Sequence, residues 1–331
     1  MLSLLTRRLA AAIVLVWAVA SVTFALVHLA PGDAADLLAP PAASAADAAR
    51  LRRELGLDRP VPEQYVRWLG RLVRGDLGES FAQRRPVLAI IAEAAPVSLA
   101  LGGASLALSF AIGTMIGVVQ GARRGSRLDG ALTVLTTTAY AAPSFWLALA
   151  LVALFTYGAT VWGFPLWLRL PAFGVREASG ELRGLAAVID VVRHAVLPVT
   201  VLTVVGAAGV ARYARSAVAD LVDAEWVRSA RAKGAARWRV YGRHVGANAL
   251  PPLVVLVALA LPGTVAGSVF VESVFAWPGM GRVLVTSIAA RDYPVVLAVT
   301  VLYSTVVILA NLAADLALPV VDPRRRDAGG R

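Results

Sequence analysis

Residues 212–252 read RYARSAVADLVDAEWVRSARAKGAARWRVYGRHVGANALPP, and this stretch is too regular to be a simple linker. Its apolar side chains recur at helical spacing as far as Ala230, and Gly234 interrupts the pattern. A second helical pattern then continues toward Pro251. The spacing predicts two helices hinged at Gly234 with a basic outer face. A short exposed helix of this kind suits docking into a cleft of another protein.

The stretches on both sides are strongly apolar. The chain has 331 residues, of which 58% are hydrophobic and 16% are charged, whereas soluble domains carry about 25% charged residues. A membrane-spanning helix needs about 20 mostly apolar residues. Six stretches of that order lack Asp, Glu, Lys and Arg, which predicts an all-α membrane protein with six transmembrane helices. They are residues 9–32, 94–122, 130–168, 194–211, 244–271 and 293–314.

Basic residues cluster at both ends and in every second connection. Arg7 and Arg8 precede the first span, and the tail 320–331 contains the basic run Arg324-Arg325-Arg326. Cytoplasmic loops are enriched in Lys and Arg, so we expect both termini in the cytoplasm and a multi-pass protein of the inner membrane. Ala18-Val19-Ala20 resembles a signal cleavage site. Apolar residues continue past it, which favours an uncleaved first helix.

The spans divide the chain into four predicted segments. Residues 1–30 hold the first transmembrane helix, and residues 31–95 form an extracytoplasmic segment with two short amphipathic helices. The first of these is expected near Ala45–Leu55, with Ser44 as its N-cap. We expect these helices to pack on the membrane helices or to offer a docking surface. A core at 96–319 contains transmembrane helices 2–6 and a cytoplasmic loop at 212–250, and the tail follows.

Several classes of function lack the residues that they require. The chain has no cysteine, and its three histidines lie too far apart in sequence for metal-ligand spacing. We therefore expect no metal site and no catalytic residue. The only lysine is Lys233, followed by Gly234, so a phosphate-binding Gly-x-x-x-x-Gly-Lys-[Ser/Thr] loop cannot form. Its arginines lie between apolar runs, which argues against binding nucleic acid.

Short motifs follow one another along almost the whole chain. Residues 212–252 contain Arg228-Ser229-Ala230-Arg231-Ala232-Lys233-Gly234 and Asn248-Ala249-Leu250-Pro251-Pro252. The other motifs include Pro31-Gly32-Asp33, Gly75-Asp76-Leu77-Gly78, Leu128-Asp129, Pro143-Ser144-Phe145-Trp146, Trp277-Pro278-Gly279, Arg291-Asp292-Tyr293-Pro294 and Asp322-Pro323-Arg324. Together they resemble the dipeptide/oligopeptide branch of permease subunits of binding-protein-dependent ABC importers.

The resemblance implies a type I ABC importer permease fold and a division of labour between subunits. Residues 228–234 would form the ATPase-coupling loop. The implied partners are a sister permease in a heterodimer, two ABC ATPase subunits that hold ATP and magnesium, and an extracytoplasmic substrate-binding protein. Peptides are the expected substrate. Outer loop 164–175 departs from the turn common in peptide permeases, so nickel chelates, glutathione-like compounds or sugars stand as alternatives.

Glu272 lies in an apolar stretch, and an ionisable residue inside a membrane is a candidate for function. We consider a role in the translocation path or outer gate, against a local pairing with Arg282 at the interface.

Two other functions remain open. A stand-alone secondary transporter would need charged residues within its spans, and the charge-free spans argue against it. An intramembrane enzyme would need a catalytic cluster, and the sequence offers none.

Overall fold

A computed structural model describes most of the chain as α-helix. Within the described part, the β-structure is an isolated bridge between Glu79 and Pro86. Helices suit such an apolar chain because they satisfy backbone hydrogen bonds internally, as lipid requires. Side chains are not described for 2–5, 36 and 314–321. The described residues are 2–30, 32, 34–38, 44–177, 182–236, 239–240, 245–246, 248–249, 253, 256–257, 259–261 and 269–321.

We number the described helices in chain order. They are α1 (Leu2–Leu29), α2 (Ala34–Leu38), α3 (Ala45–Glu54), α4 (Val61–Val73), α5 (Val87–Ala122), α6 (Arg127–Ala141), α7 (Ser144–Val152), α8 (Ala159–Val161), α9 (Leu185–Val222), α10 (Glu225–Ala232), α11 (Val269–Val274), α12 (Met280–Ala289) and α13 (Tyr293–Val321). A π-helical stretch, Ala153–Gly158, joins α7 to α8.

Five of the described helices are long and apolar enough to cross a membrane. They match five of the six predicted spans and confirm an all-α polytopic fold. Most of the sixth predicted span, 244–271, lies outside the described residues, as does the basic tail from 322 onward. The candidate spans are Thr6–Leu29, Val87–Ala122, Ser144–Val161, Leu185–Val222 and Tyr293–Ala313.

The predicted span at 130–168 differs most from the sequence expectation. The run hosts one candidate span, Ser144–Val161, as expected, but that span begins well after residue 130, because α6 ends at Ala141 and α7 begins at Ser144. Pro143 causes the break, since a proline disfavours helical geometry in the residue before it. Ala142 accordingly has an extended ψ of 125°. After α8 the chain enters the predicted loop, where Trp162 is exposed.

The first compact unit comprises Met1–Ser98 and Pro278–Leu309. The start of α5 packs there on α12 and α13 through a buried apolar cluster that includes Val87, Ile91, Met280 and Val299. The buried carboxylate of Asp292 accepts hydrogen bonds from the Ser80 hydroxyl and from the backbone N–H of Phe81, at 2.9 Å, and Ala82, at 3.3 Å. These bonds tie the loop before α5 to the start of α13.

The two short helices predicted before α5 are present in this first unit. Ser44 caps α3 and forms a capping box with Asp47, as the sequence pattern Ser-x-x-Asp suggests. Gly56, just after α3, has a φ of +71°. Helix α4 has Pro62 in its first turn and ends at Val73. Placing this segment outside the cytoplasm stays a prediction.

The second compact unit comprises Leu99–Trp277 and Ala310–Arg331. Helices α7, α9 and α11 pack together around Val152, Leu197 and Phe275. Its longest helix, α9, begins before the predicted span 194–211 and continues past it to Val222. At about 1.5 Å per residue, its 38 residues extend about 57 Å. Helix α9 therefore leads directly into the candidate functional segment.

Candidate functional site

The candidate coupling residues lie on α10 and on the turn that ends it, and α10 follows α9 after a sharp turn. The sequence predicted a helix running through Leu221 and Ala230 with its hinge at Gly234. The structure places an additional break at Asp223 and Ala224, so the uninterrupted first helix is wrong. Ala224 is extended, with φ −63° and ψ 143°, and this turns the chain away from α9. The apolar spacing survives because both helices face the same cluster.

Val227 anchors α10 to the rest of its unit. The side chain is fully buried and packs with Val218 of α9 and with Val240, Val245 and Ala249 beyond the glycine. Full burial of a valine side chain contributes about 1.5–3 kcal/mol. The orientation of α10 is therefore fixed by one central apolar contact. Val227 belongs to the apolar pattern of the sequence, but the pattern alone does not identify it as the anchor.

The opposite face of α10 is exposed and basic. Of the seven candidate residues, Ala230 is partly buried and packs on the Val227 cluster. The other six, exposed, are Arg228, Ser229, Arg231, Ala232, Lys233 and Gly234. Three of these six side chains are cationic, and this face contains no carboxylate between residues 228 and 234. An anchored helix with an exposed charged face can dock on a partner of complementary charge.

Gly234 ends α10 in a Schellman motif. Its φ is +77°, its N–H donates to Arg231 O at 3.0 Å, and the Ala235 N–H donates to Ala230 O at 3.1 Å. A Cβ added at Gly234 would meet nothing within 4 Å. The position therefore favours glycine for its backbone conformation, because side-chain space is open there.

An ion pair holds α9 to α6 about two turns before α9 ends. The Arg215 guanidinium donates to both carboxylate oxygens of Asp129, at 2.7 and 2.9 Å. Asp129 is buried and also accepts the Gly125 N–H at 3.0 Å. Chiefly because of the Arg215 hydrogen bond, the pKa of Asp129 falls from 3.8 to about 2. The sequence analysis missed this pair, whose members are 86 positions apart.

Three glycines at four-residue spacing bring α5 against α9. A Cβ on Gly117 would lie 2.5 Å from Ala211 O, and one on Gly113 would lie 2.6 Å from Ala207 O. Gly121 meets Val218 in the same way. These three glycines therefore allow close packing of the two helices within one chain. Helix α9 is thus held along its length by α5 and near its end by α6.

Glu272 lies in α11 and is fully buried. Its backbone carbonyl accepts a hydrogen bond from the Trp277 N–H at 2.8 Å. A role in the translocation path or the outer gate stays a prediction.

The described residues contain no group of three or more metal-ligating His, Cys, Asp or Glu side chains. His28 lies 3.2 Å from Gln64 Oε1 and 2.8 Å from Phe24 O. His194 lies 3.2 Å from an Asp190 carboxylate oxygen. These contacts account for each imidazole locally, and His244 lies outside the described residues.

Comparison with known proteins gives consistent results over the whole length. Residues 113–327 match the family described as binding-protein-dependent transport system inner membrane component. Residues 1–102 match the N-terminal family of binding-protein-dependent transport system membrane components. The oligopeptide transport system permease protein AppB of Bacillus subtilis is 34% identical, with 98% of this chain and 99% of that protein covered. The dipeptide transport system permease protein DppB of Escherichia coli strain K12 has the same identity and coverage.

A solved structure shares the fold. The MetNI methionine ABC transporter, in an inward-facing conformation, matches with a TM-score of 0.50 and 21% identity, covering 71% of this chain and 97% of that one. That likeness supports the type I importer permease fold, and the family matches cover both halves of the sequence. The chain therefore belongs to the family of binding-protein-dependent transport system inner membrane components.

Proposed function

We propose that the chain is one of two permease halves of an ATP-driven peptide importer that works by alternating access. The observation that carries the proposal is helix α10, anchored by Val227 and exposed on its basic face, in a member of this family. The oligopeptide and dipeptide permeases that resemble it over 98% of its length support peptides as the substrate class. The chain is a multi-pass inner-membrane protein and is not itself an enzyme.

The proposed assembly contains a sister permease, two ABC ATPases and an extracytoplasmic binding protein. ATP and magnesium would bind the ATPases, because this chain has a single lysine in a sequence that cannot form a phosphate-binding loop. Residues 228–234 of α10 would dock on one ATPase. The sister permease would be a different chain, which gives a heterodimer.

The proposed motion passes through α9. Closure of the ATPase dimer would displace α10, and the Val227 cluster would transmit that displacement to the end of α9. The Asp129–Arg215 pair and the glycine ridge hold α9 to α6 and α5, so these helices would move together. Pro198 lies inside α9 and removes one helical hydrogen bond, which makes it the natural place for bending. Alternating access in transporters commonly uses such rigid-body rocking.

Uptake in proteoliposomes tests the proposal. The four membrane-bound subunits would be reconstituted with the binding protein and ATP, and uptake of labelled dipeptides would be compared with that of a nickel chelate, glutathione and a sugar. We expect peptide accumulation that requires ATP and persists when a protonophore collapses the membrane potential. Accumulation by the chain alone, driven by the potential, would instead indicate a secondary transporter.

Gly234→Pro tests the coupling segment specifically. Proline cannot adopt the φ of +77° and lacks the N–H that Gly234 donates to Arg231 O. We expect normal membrane insertion but loss of peptide uptake and of substrate-stimulated ATPase activity.

Gly75→Pro is the matched control for this variant. Gly75 follows α4 with the same φ of +77°, donates to Leu72 O at 3.0 Å and likewise has open space around its Cβ position. The control should keep substantial coupled uptake, because the backbone change at Gly75 lies outside the coupling segment. Normal coupled transport by Gly234→Pro would refute the proposed coupling through α10.

A further inference from the structure

A cavity of about 790 Å³ lies in the first compact unit. Its walls come from the end of α1, from α3 and α4 with the loops after them, and from the start of α13. The lining includes apolar and aromatic residues, among them Phe24 and His28 of α1 and Leu297 of α13, and it also includes five arginines. The volume lies within the range that holds small organic ligands.

The depth of the cavity relative to the membrane follows from which helix ends lie beside it. Helix α1 ends beside it, and α13 begins beside it. Both are candidate spans, so their ends mark the boundary between hydrocarbon and water. The cavity therefore lies at the depth of lipid headgroups.

Helix α4 lies against α1 at this boundary. The Ser21 and Tyr65 hydroxyls are 2.7 Å apart, and the rings of Phe24 and Trp68 stack at 5.3 Å. The other side of α4 is basic, since Arg67 and Arg71 on the helix and Arg74 just after it are exposed. Aromatic residues on one face and arginines on the other are typical of a helix that lies in the membrane interface.

The arginines that line the cavity outnumber its acidic partners. The lining contains five arginines and two acidic residues. The arginines are Arg53, Arg59, Arg67, Arg71 and Arg74, and the acidic residues are Glu54 and Asp76.

Local contacts account for part of this charge. Glu63 pairs with Arg59 at 2.7 Å and with Arg67 at 2.9 Å. Glu54 pairs with Arg50, which does not line the cavity. Asp76 accepts the Gly78 N–H at 2.8 Å. Across the described residues, Arg53, Arg71 and Arg74 have no carboxylate within salt-bridge distance.

We propose that this cavity binds the phosphate group of an anionic phospholipid. Arginine's planar fork of donors suits a phosphate, and the three arginines without a carboxylate supply the positive charge. The acyl chains would lie along Val66, which lines the cavity and is 67% exposed, and along the exposed apolar side chains of Leu26 and Leu29. Membrane lipid is the phosphate source at this depth, and negatively charged lipids attract basic residues placed there.

Binding of a short-chain phosphatidylglycerol to the purified full-length chain in detergent tests the proposal. Native mass spectrometry would count bound lipid, with phosphatidylcholine of the same chain length as the neutral comparison. We expect saturable binding of phosphatidylglycerol and much weaker binding of phosphatidylcholine. Arg71→Gln with Arg74→Gln should weaken phosphatidylglycerol binding roughly thirtyfold, since each interfacial arginine contributes about a fivefold factor.

The matched control is Arg84→Gln with Arg85→Gln. It removes the same charge from two exposed arginines of the same unit that do not line the cavity. Phosphatidylglycerol binding should be unchanged in this control. Arg53→Gln should weaken phosphatidylglycerol binding about fivefold. Because Arg53 lies on α3, this loss could not result from misfolding of α4.

Three results would overturn the proposal. Equal losses in the control and the cavity variants would show a diffuse charge effect. Binding of inorganic phosphate or glycerol phosphate as tight as that of the lipid would make the free anion the ligand. Unchanged lipid binding in the Arg71 and Arg74 variant, with weaker retention of the extracytoplasmic binding protein, would make this rim a protein-docking surface.

Discussion

Asp129→Asn isolates the charge of the Asp129–Arg215 pair. Asparagine is close to aspartate in size, and its single oxygen, in the place of Asp129 Oδ2, can still accept hydrogen bonds from Arg215 Nη2 and from the Gly125 N–H. The change removes the negative charge opposite the guanidinium and leaves the volume nearly constant. Any loss of stability therefore reports the electrostatic part of the contact between α6 and α9.

The pKa of Asp129 sets the magnitude. A fall from 3.8 to about 2 corresponds to roughly 2.5 kcal/mol in favour of the charged carboxylate. Breaking a fully buried ion pair costs about 3–5 kcal/mol. The side chain of Arg215 is 34% exposed, however, so water can partly solvate it after the change. We expect Asp129→Asn to lower the free energy of unfolding by about 2 kcal/mol at neutral pH.

The dependence on pH has a definite sign. The pKa of Asp129 is lower in the folded chain, so the pair contributes its full stability above pH 3.8 and loses it as pH falls toward 2. The difference between wild type and Asp129→Asn should therefore shrink over that interval. Denaturant unfolding of the purified chain in detergent, followed by circular dichroism at pH 7 and in acid, measures both quantities.

Glu63→Gln provides the control. Glu63 also contacts two arginines, at 2.7 and 2.9 Å, but its side chain is 43% exposed. Exposed ion pairs contribute little to stability, so this variant should unfold like wild type. If Asp129→Asn were as stable as wild type at pH 7, or if its deficit stayed constant down to pH 2, the electrostatic reasoning would be refuted.

Two further substitutions test the contacts around the coupling helix. Val227→Ala should destabilise the chain by about 1–2 kcal/mol and reduce substrate-stimulated ATPase activity of the reconstituted complex. Ser229→Ala, on the exposed face, should leave stability unchanged, and wild-type coupling in Val227→Ala would argue against the anchor. Gly117→Ala should cost about 1–3 kcal/mol, measured by thermal unfolding, because its Cβ would lie 2.5 Å from Ala211 O. Gly103→Ala on the same helix has open space and should be neutral or stabilising; equal effects of the two substitutions would contradict close packing of α5 on α9.

The features that the sequence predicted correctly are those encoded locally. Charge-free runs located the spans, Ser44 marked the start of α3, and Gly234 marked the end of α10. Each of these signals depends on side chains a few residues apart or on one glycine in a left-handed conformation. The break before α7 was also encoded locally, by Pro143, and could have been read from the sequence.

The features that escaped prediction depend on distant residues. Ala224 has no intrinsic tendency to end a helix, so the turn before α10 follows from burial of Val227 against residues beyond Gly234. The Asp129–Arg215 pair joins two helices whose separation in space the sequence does not give. The arginine-lined cavity likewise needs α1 and α13 side by side, although they lie at opposite ends of the chain.

In helix α10, the residues that fix the orientation of the helix are different from the residues on its exposed face. Val227 and Gly234 determine where its outer face points, and neither places a side chain on that face. The exposed residues Arg228, Ser229, Arg231 and Lys233 can therefore change without repacking the interior. Related permeases could in this way acquire new ATPase partners by surface substitutions alone, while the mechanical connection to the membrane helices stays constant.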